Sequence, residues 1–327
     1  MKQSTKPLST NDYCIKWFAI RWLDEIKYEL KSSSLAKYQN IVNLYIIPYL
    51  GKEKLVDFSR NKINEFSSTL LSSGGVHEKG LSPSTVNSIL TVLKRILDFA
   101  AQQTGRPSVC FRNVRINARK PTATILRRSE QCRLWKYLFE NLSPRNLGII
   151  LSMSFGLRIG EICALRWKDI NFEEETLCIT RTLMRKQTFS NSGKKTEVVV
   201  STLKSSFSER KIPLTPEITE VLIQQQCADE AYILTGNVSR YIEPRALTNH
   251  FKKTLQICKI RDVKFHTLRH TFATYWIEMG YDIKSLSEIL GHSSVNVTLN
   301  YYIHPSMESK RRDVSDFSKK VFSRKGK

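Results

Sequence analysis

Residues 154–182 read SFGLRIGEICALRWKDINFEEETLCITRT, and the periodicity of the chain changes inside this stretch. Up to Gly156, and again from Ile159 to Leu165, apolar residues recur at helical spacing. A polar turn at Lys168-Asp169 follows. Thr176-Leu-Cys-Ile-Thr-Arg-Thr then alternates and is rich in β-branched side chains, which predicts a strand. Two further strands are expected at Glu197–Thr202 and around Arg210–Leu214, the last closed by Pro213 and Pro216. Helical runs precede them near 129–140 and 145–154 and return from Pro244 to Lys320. The fold class expected here is mainly α with a small antiparallel β-sheet.

Upstream the pattern is helical throughout. Tyr13, Trp17, Ile20, Leu23, Ile26 and Leu30 recur every three or four positions and predict the apolar face of a first helix. Leu35, Tyr38, Ile41, Val42 and Tyr45 follow a serine cluster and mark a second, expected to stop at Pro48. Ile63, Phe66 and Leu70 outline a third. Ser82-Pro83 then supplies an N-cap and a first-turn proline for a fourth, which carries Val86, Ile89, Leu90, Leu93, Ile96, Leu97 and Ala100. The organisation expected is a polar N-terminus (1–9), a helical domain (10–105), a basic linker (106–121), a second domain (122–305) and a C-terminal tail (306–327).

The chain has 327 residues, which suits two domains of ~150 residues each. Lys and Arg number 52 against 30 Asp and Glu, a formal charge of +22. The surplus is not one tail: residues 1–120 carry 19 basic and 9 acidic side chains, and 121–327 carry 33 and 21. Such a balance points to a polyanionic partner, double-stranded DNA above all. Between Arg106 and Arg128 there are seven basic residues and no acidic one, as a flexible tether tracking phosphates would need. The seven cysteines are odd in number and form no CxxC pair, so they are read as reduced thiols. No signal peptide and no apolar run of roughly 18 residues is present, which predicts a cytoplasmic protein without a membrane partner.

Two chemistries are disfavoured by motif. Gly75-x-x-x-x-Gly80 is followed by Leu81, so it lacks the Lys-Ser/Thr of a phosphate-binding loop. His266-Thr-Leu-Arg-His270 has Thr267 where a zinc protease needs its glutamate. No metal and no cofactor are therefore expected. A cluster of Arg, His, Lys and Tyr suits different chemistry, because guanidinium forks stabilise the charge that develops on a phosphodiester at a metal-free phosphoryl-transfer site.

Four ordered segments carry a resemblance: SFGLRIGEICALRWKDI (154–170), TLKSSFSERKIPL (202–214), KFHTLRHTFAT (264–274) and LGHSSVNVTLNYY (290–302). With them the chain resembles the tyrosine recombinases, or phage-integrase family, and in particular the integrases of mobile elements. The resemblance implies a SAM-like core-binding domain at 10–105 and a catalytic domain at 122–305, closing as a C-shaped clamp on DNA. No separate arm-binding module fits before the first helix.

Matched position by position, Arg158 corresponds to the first catalytic arginine, and Glu161, three residues on, orients the site or simply caps a helix. Lys204 corresponds to the hairpin lysine that protonates the leaving 5′ oxygen. Lys194 and Lys195 compete for that role but lack the S-x-R-x-I-P sequence completed by Ser208, Arg210, Ile212 and Pro213. His266 and Arg269 form the H-x-x-R pair. His270, rotated by about 100° from Arg269, is read as structural, and His292 as a further phosphate contact. Family spacing puts the nucleophile nine residues after that histidine, which selects Tyr301 over Tyr302. A phenol ionises near pH 10 in water, so attack at neutral pH needs surrounding cations and a base. Arg112, Arg115, Arg119 and Lys120 of the linker, with Lys94 and Arg95 of the fourth helix, are the expected DNA contacts.

The function implied is site-specific cleavage and rejoining of DNA through a 3′-phosphotyrosine, by a homotetramer on two DNA sites, with accessory directionality or bending proteins as further partners. Bacterial cytosol, on nucleoid DNA, is the implied location. Two other readings stay open: a type IB topoisomerase-like enzyme that relaxes DNA, and a non-catalytic DNA-binding protein. Residues 306–327, with Met307, Val314, Phe317 and Val321, offer a small apolar face for docking on a neighbouring protomer.

Overall fold

Three-residue steps rotate a helix by about 300°, so a 17–20–23–26 stripe drifts off any single face. In the computed structural model, helix α1 (Ile15–Ile26) accordingly buries the true 3.6-period stripe Ile15, Phe18, Ala19 and Trp22 and leaves Ile20 45% exposed. Trp17, Leu23 and Ile26 pack at its flanks. The structure describes residues 13–30, 32–75, 79–105, 107, 116, 124–187, 196–203, 208–292, 294–302 and 307–322. Two compact units form, Met1–Pro121 with Lys186–Thr196, and Thr122–Arg185 with Glu197–Lys327.

In the first unit Pro48 does not end the second helix. A proline lacks an N–H and crowds the carbonyl four residues back. The chain answers by widening: α2 (Ser32–Ile41) runs into a π turn at Val42–Ile46 and resumes as α3 (Ile47–Leu50). Helix α4 (Arg60–Ser73) is capped by Ser59. Helix α5 (Pro83–Thr104) is the spine of the unit. Ser82 accepts a hydrogen bond from the Thr85 N–H at 3.2 Å, and the stripe Val86, Ile89, Leu90, Leu93, Ile96, Leu97 and Ala100 is buried as expected. Ile116 of the linker is tied to this spine, its N–H and C=O both bonded to the Asn87 side chain.

The second unit is mainly α around small sheets. Helices α6 (Arg128–Glu140), α7 (Pro144–Phe155) and α8 (Ile159–Ala164) precede the strands. The Thr176–Thr182 run is broken at Thr180 and serves two sheets rather than one. Strand β2 (Thr176–Ile179) sits between β1 (Ile170–Asn171) and β5 (Arg210–Pro213), antiparallel to both, with Leu177 opposite Ile170 and Ile212. Strands β3 (Arg181–Gln187) and β4 (Thr196–Thr202) make a second, two-stranded sheet. Thr215-Pro216 then starts α9 (Pro216–Gln225), a helix that an N-cap residue followed by proline signals in the sequence but that apolar periodicity alone does not mark.

Helices α10 (Pro244–Ile257), α11 (His266–Glu278), α12 (Ile283–Leu290), α13 (Val295–Tyr302) and α14 (Met307–Phe322) complete the unit. Its core joins Leu147, Ile150 and Leu151 of α7 to Leu177, Ile179, Ile212, Leu247, Phe251 and Leu268. Because α7 is buried nearly all round, it fixes the height at which its C-terminal Gly156 and the following Arg158 emerge. Among the described residues no helix is long and apolar enough to cross a membrane.

Leu93 is fully buried in the α5 spine. Leu93→Ala is expected to destabilise the first unit by about 2–5 kcal/mol, whereas Leu93→Met costs under ~1.5 kcal/mol. A denaturant melt followed by tryptophan fluorescence reads the difference, and equal midpoints for the two variants would contradict this packing.

Candidate active site

The last carbonyls of a helix have no partner inside it, and the helix dipole makes that end attractive to cations. At the end of α12 three consecutive carbonyls are each taken by a different arginine. Ile289 O accepts from Arg210 Nε at 2.5 Å, Leu290 O from Arg269 Nη2 at 2.8 Å, and Gly291 O from Arg158 Nη2 at 3.1 Å. The arginines arrive from β5, from α11 and from the turn before α8. Gly291 closes the helix at φ +64°, a left-handed conformation that favours glycine. A Cβ there would also lie 2.9 Å from Arg210 Nη1 and 3.2 Å from its Cδ and Cζ.

Arg158 follows Gly156, which ends α7 at φ +63°. Its side chain keeps 37% exposure, while Glu161, at the third position of α8, is 1% exposed. Glu161 Oε2 accepts from the Arg158 backbone N–H at 2.9 Å and from Arg210 Nη2 at 2.9 Å. Its Oε1 accepts from Arg158 Nη1 at 2.7 Å and Arg210 Nη1 at 3.2 Å. Burial pushes this carboxyl up, but the bonds and charge of Arg210, then of Arg158, outweigh it and hold its pKa below the ordinary carboxylate value. Glu161 is thus both helix cap and counter-charge to two arginines.

Arg269 is 2% exposed. Its Nη1 donates to Gly156 O at 2.9 Å, and its Nη2 lies 2.7 Å from His292 Nε2. Since that nitrogen faces a donor, His292 carries its proton on Nδ1 and donates to Thr298 Oγ1 at 2.7 Å. Burial first, then the charges of Arg269, Arg158 and Arg210, push the His292 pKa down to about 4. His266 opens α11 and is likewise pushed down to about 4 by desolvation, then by His270, Arg269 and Arg158. Both rings are neutral at physiological pH.

The structure therefore brings together Arg158, Glu161, His266, Arg269 and His292. Tyr301 and Tyr302 lie in the last turn of α13, the helix that His292 holds through Thr298. Lys204 falls outside the described residues, as do Arg112, Arg115, Arg119 and Lys120. Lys94 and Arg95 are exposed on α5, and Arg95 donates to the Tyr38 hydroxyl at 2.8 Å and lies over its ring.

Two residues close to the site escape a reading of the sequence alone. Arg210 enters it only as part of a lysine-flanking pattern. Its spacing of two from Ile212, which is buried, is the signal that turns it inward. His270 is rotated away from Arg269, yet it stands one helical turn from His266, and the two rings meet edge to face at 4.6 Å.

Residues 140–309 match the phage integrase family model, and residues 15–71 match the N-terminal SAM-like domain of phage integrases. The chain is 28% identical over 188 residues to a XerC-like tyrosine recombinase of Caldanaerobacter subterraneus subsp. tengcongensis, covering 52% of this chain and 48% of that protein. It is 25% identical over 303 residues to the ICEBs1 integrase of Bacillus subtilis, covering 85% of this chain and 76% of that protein. It thus spans about half the length of the first relative and three-quarters of the second. The fold is similar to that of the Tn1549 transposon integrase in complex with a circular intermediate DNA, with a TM-score of 0.74 at 19% identity over 94% of this chain and 100% of that one.

Histidines held neutral by a lowered pKa fix a sign. The unfolded chain takes up protons near pH 6.5 and the folded one only near pH 4, so stability falls as pH drops from about 6.5 to about 4 and levels off below. Imidazole NMR titration of the free protein is expected to place His266 and His292 near 4, with His292 protonated on Nδ1. A midpoint above 6 for either ring would contradict the geometry.

Proposed function

The chain belongs to the phage integrase family, and from that premise we propose that it is a site-specific DNA recombinase, the integrase of a mobile element. The observation that carries this reading is the meeting of Arg158, Arg269 and His292 at the end of α12, with Tyr301 on the helix bonded to His292. Arg158 presents its exposed edge to the nonbridging oxygens of a scissile phosphate, and Arg269 holds the pocket behind it.

Tyr301 Oη attacks the phosphorus, a P–O(Tyr) bond forms, and the bond to the 5′ oxygen breaks. The phenol's proton leaves to solvent, with the neutral His266 ring assisting the transfer. Lys204 gives a proton to the departing 5′ oxygen. One phosphodiester is exchanged for another, so the linkage energy stays in the covalent adduct, and a 5′ hydroxyl from a partner strand reverses the step.

The acting species is a homotetramer on two DNA sites, helped by directionality or bending proteins in the bacterial cytoplasm. Support for docking between protomers comes from α14: Val314, Phe317 and Val321, spaced along one stripe, are all exposed.

Wild-type protein incubated with nicked duplex DNA is expected to give an adduct that survives SDS, and Tyr301→Phe none. Equal adduct yields would reject the nucleophile. An adduct that leads only to relaxed DNA, with no paired-site product, would assign a topoisomerase instead. Deleting residues 306–327 is expected to lower recombination between two sites by at least tenfold while changing DNA affinity little. Unaltered recombination would remove α14 from the assembly.

A further inference from the structure

We propose that Arg210 is a positioning residue for strand cleavage: from behind the site it fixes both anchors that aim the Arg158 guanidinium. The proposal rests on the reading above that Arg158 binds the scissile phosphate. Arg158 has two side-chain anchors, Glu161 Oε1 at 2.7 Å and Gly291 O at 3.1 Å. Arg210 holds the first directly, with Nη2 and Nη1 on the two carboxylate oxygens at 2.9 and 3.2 Å. It holds the second through the helix end, with Nε on Ile289 O, two residues before Gly291. Its Nη1 also donates to Ser208 O at 3.1 Å, which ties the start of β5 to the same point.

Exposure separates the two roles. The Arg210 side chain is 6% exposed against 37% for Arg158, so Arg210 is enclosed where Arg158 is open to a ligand. Arg210 therefore acts on chemistry through Arg158 and meets no reacting atom. The planar fork matters, because five donors in one rigid plane reach a carboxylate and two carbonyls together, and an ammonium does not.

A second consequence concerns protonation. The charged groups facing Glu161 are Arg210 from β5, Arg158 from its own turn and His266 from α11, while His292 faces the arginines from beyond α12. Arg210 is the largest of the influences that keep this enclosed carboxyl ionised against burial. Removing it lets Glu161 take up a proton at higher pH, and a neutral carboxyl is a weaker acceptor for Arg158.

The test uses full-length Arg210→Gln and Arg210→Lys, with a nicked duplex selected from a random-sequence library by covalent capture on the wild-type chain. The single-turnover rate of adduct formation is measured relative to wild type between pH 6 and 8.5. Arg210→Gln is expected to lose about 10²-fold at pH 6, the scale of a small misplacement of a catalytic group, and to regain much of it at pH 8.5. Its Glu161 carboxyl, followed by ¹³C NMR, is expected to titrate at higher pH than in wild type. A loss of the same factor at every pH, no loss, or an unshifted carboxyl overturns the proposal.

Arg210→Lys keeps the charge but not the fork, so a loss of at least tenfold parallel to wild type in pH is expected. Should Arg210→Gln not fold, that variant decides, and a wild-type rate from it overturns the proposal. If wild-type protein captures no DNA, the recombinase reading fails, while the Glu161 titration still judges Arg210.

Discussion

The second unit is organised by an unmet need of a helix. Each carbonyl left over at the end of α12 must find a donor or face water, and Ile289, Leu290 and Gly291 find theirs on three arginines from distant parts of the chain. One turn of backbone therefore sets the relative positions of β5, α11 and the turn before α8. The left-handed Gly291 permits this in two ways. It ends the helix so that the next residue, His292, turns back to Arg269, and it leaves the space that the Arg210 guanidinium occupies.

Guanidinium groups enclosed to 6% and 2% exposure are costly to desolvate, and the structure offsets the cost unevenly. Arg210 is paired with a carboxylate. Arg269 is met by carbonyl dipoles and the lone pair of His292. Desolvation first, and then the same cations, hold both histidines neutral: a further positive charge in this space would be dehydrated as well as repelled. The tautomer of His292 and its tether to Thr298 on α13 thus follow from one placement of Arg269.

Much of this is legible in the sequence where a local rule decides the outcome. Ser82-Pro83 starts a helix because a hydroxyl and a fixed φ suffice, and the α5 stripe is buried because its spacing leaves no other face. Arg158, His266, Arg269 and His292 stand in motifs whose resemblance to the phage-integrase family implies that they meet. What escapes depends on competition between elements. Helix α1 offers two apolar stripes, and the one that keeps the 3.6 period wins. Pro48 forbids one hydrogen bond but not a wider turn around it. Thr180 splits an alternating run because the two halves pair with different partners. Arg210 looks like any surface arginine until the strand phase set by Ile212 turns it toward Glu161.

The choice of carbonyls as anchors bears directly on the chemistry. A site that must stabilise developing negative charge needs cations that are fixed but not cancelled. A carboxylate fixes an arginine well and cancels it almost fully; a carbonyl fixes it with a smaller dipole and leaves the charge. Here Glu161 is shared between Arg158 and the enclosed Arg210, while the bonds of Arg269 to Gly156 and Leu290 go to carbonyls. Counted over Arg158, Arg210, Arg269 and Glu161 alone, the formal charge is +2. Under the proposed function, a phosphodiester would enter such a site with one negative charge and gain a second as a fifth oxygen approaches. The charge of these four groups would then suit the pentavalent state rather than the resting diester, which is the condition under which the proposed exchange is accelerated.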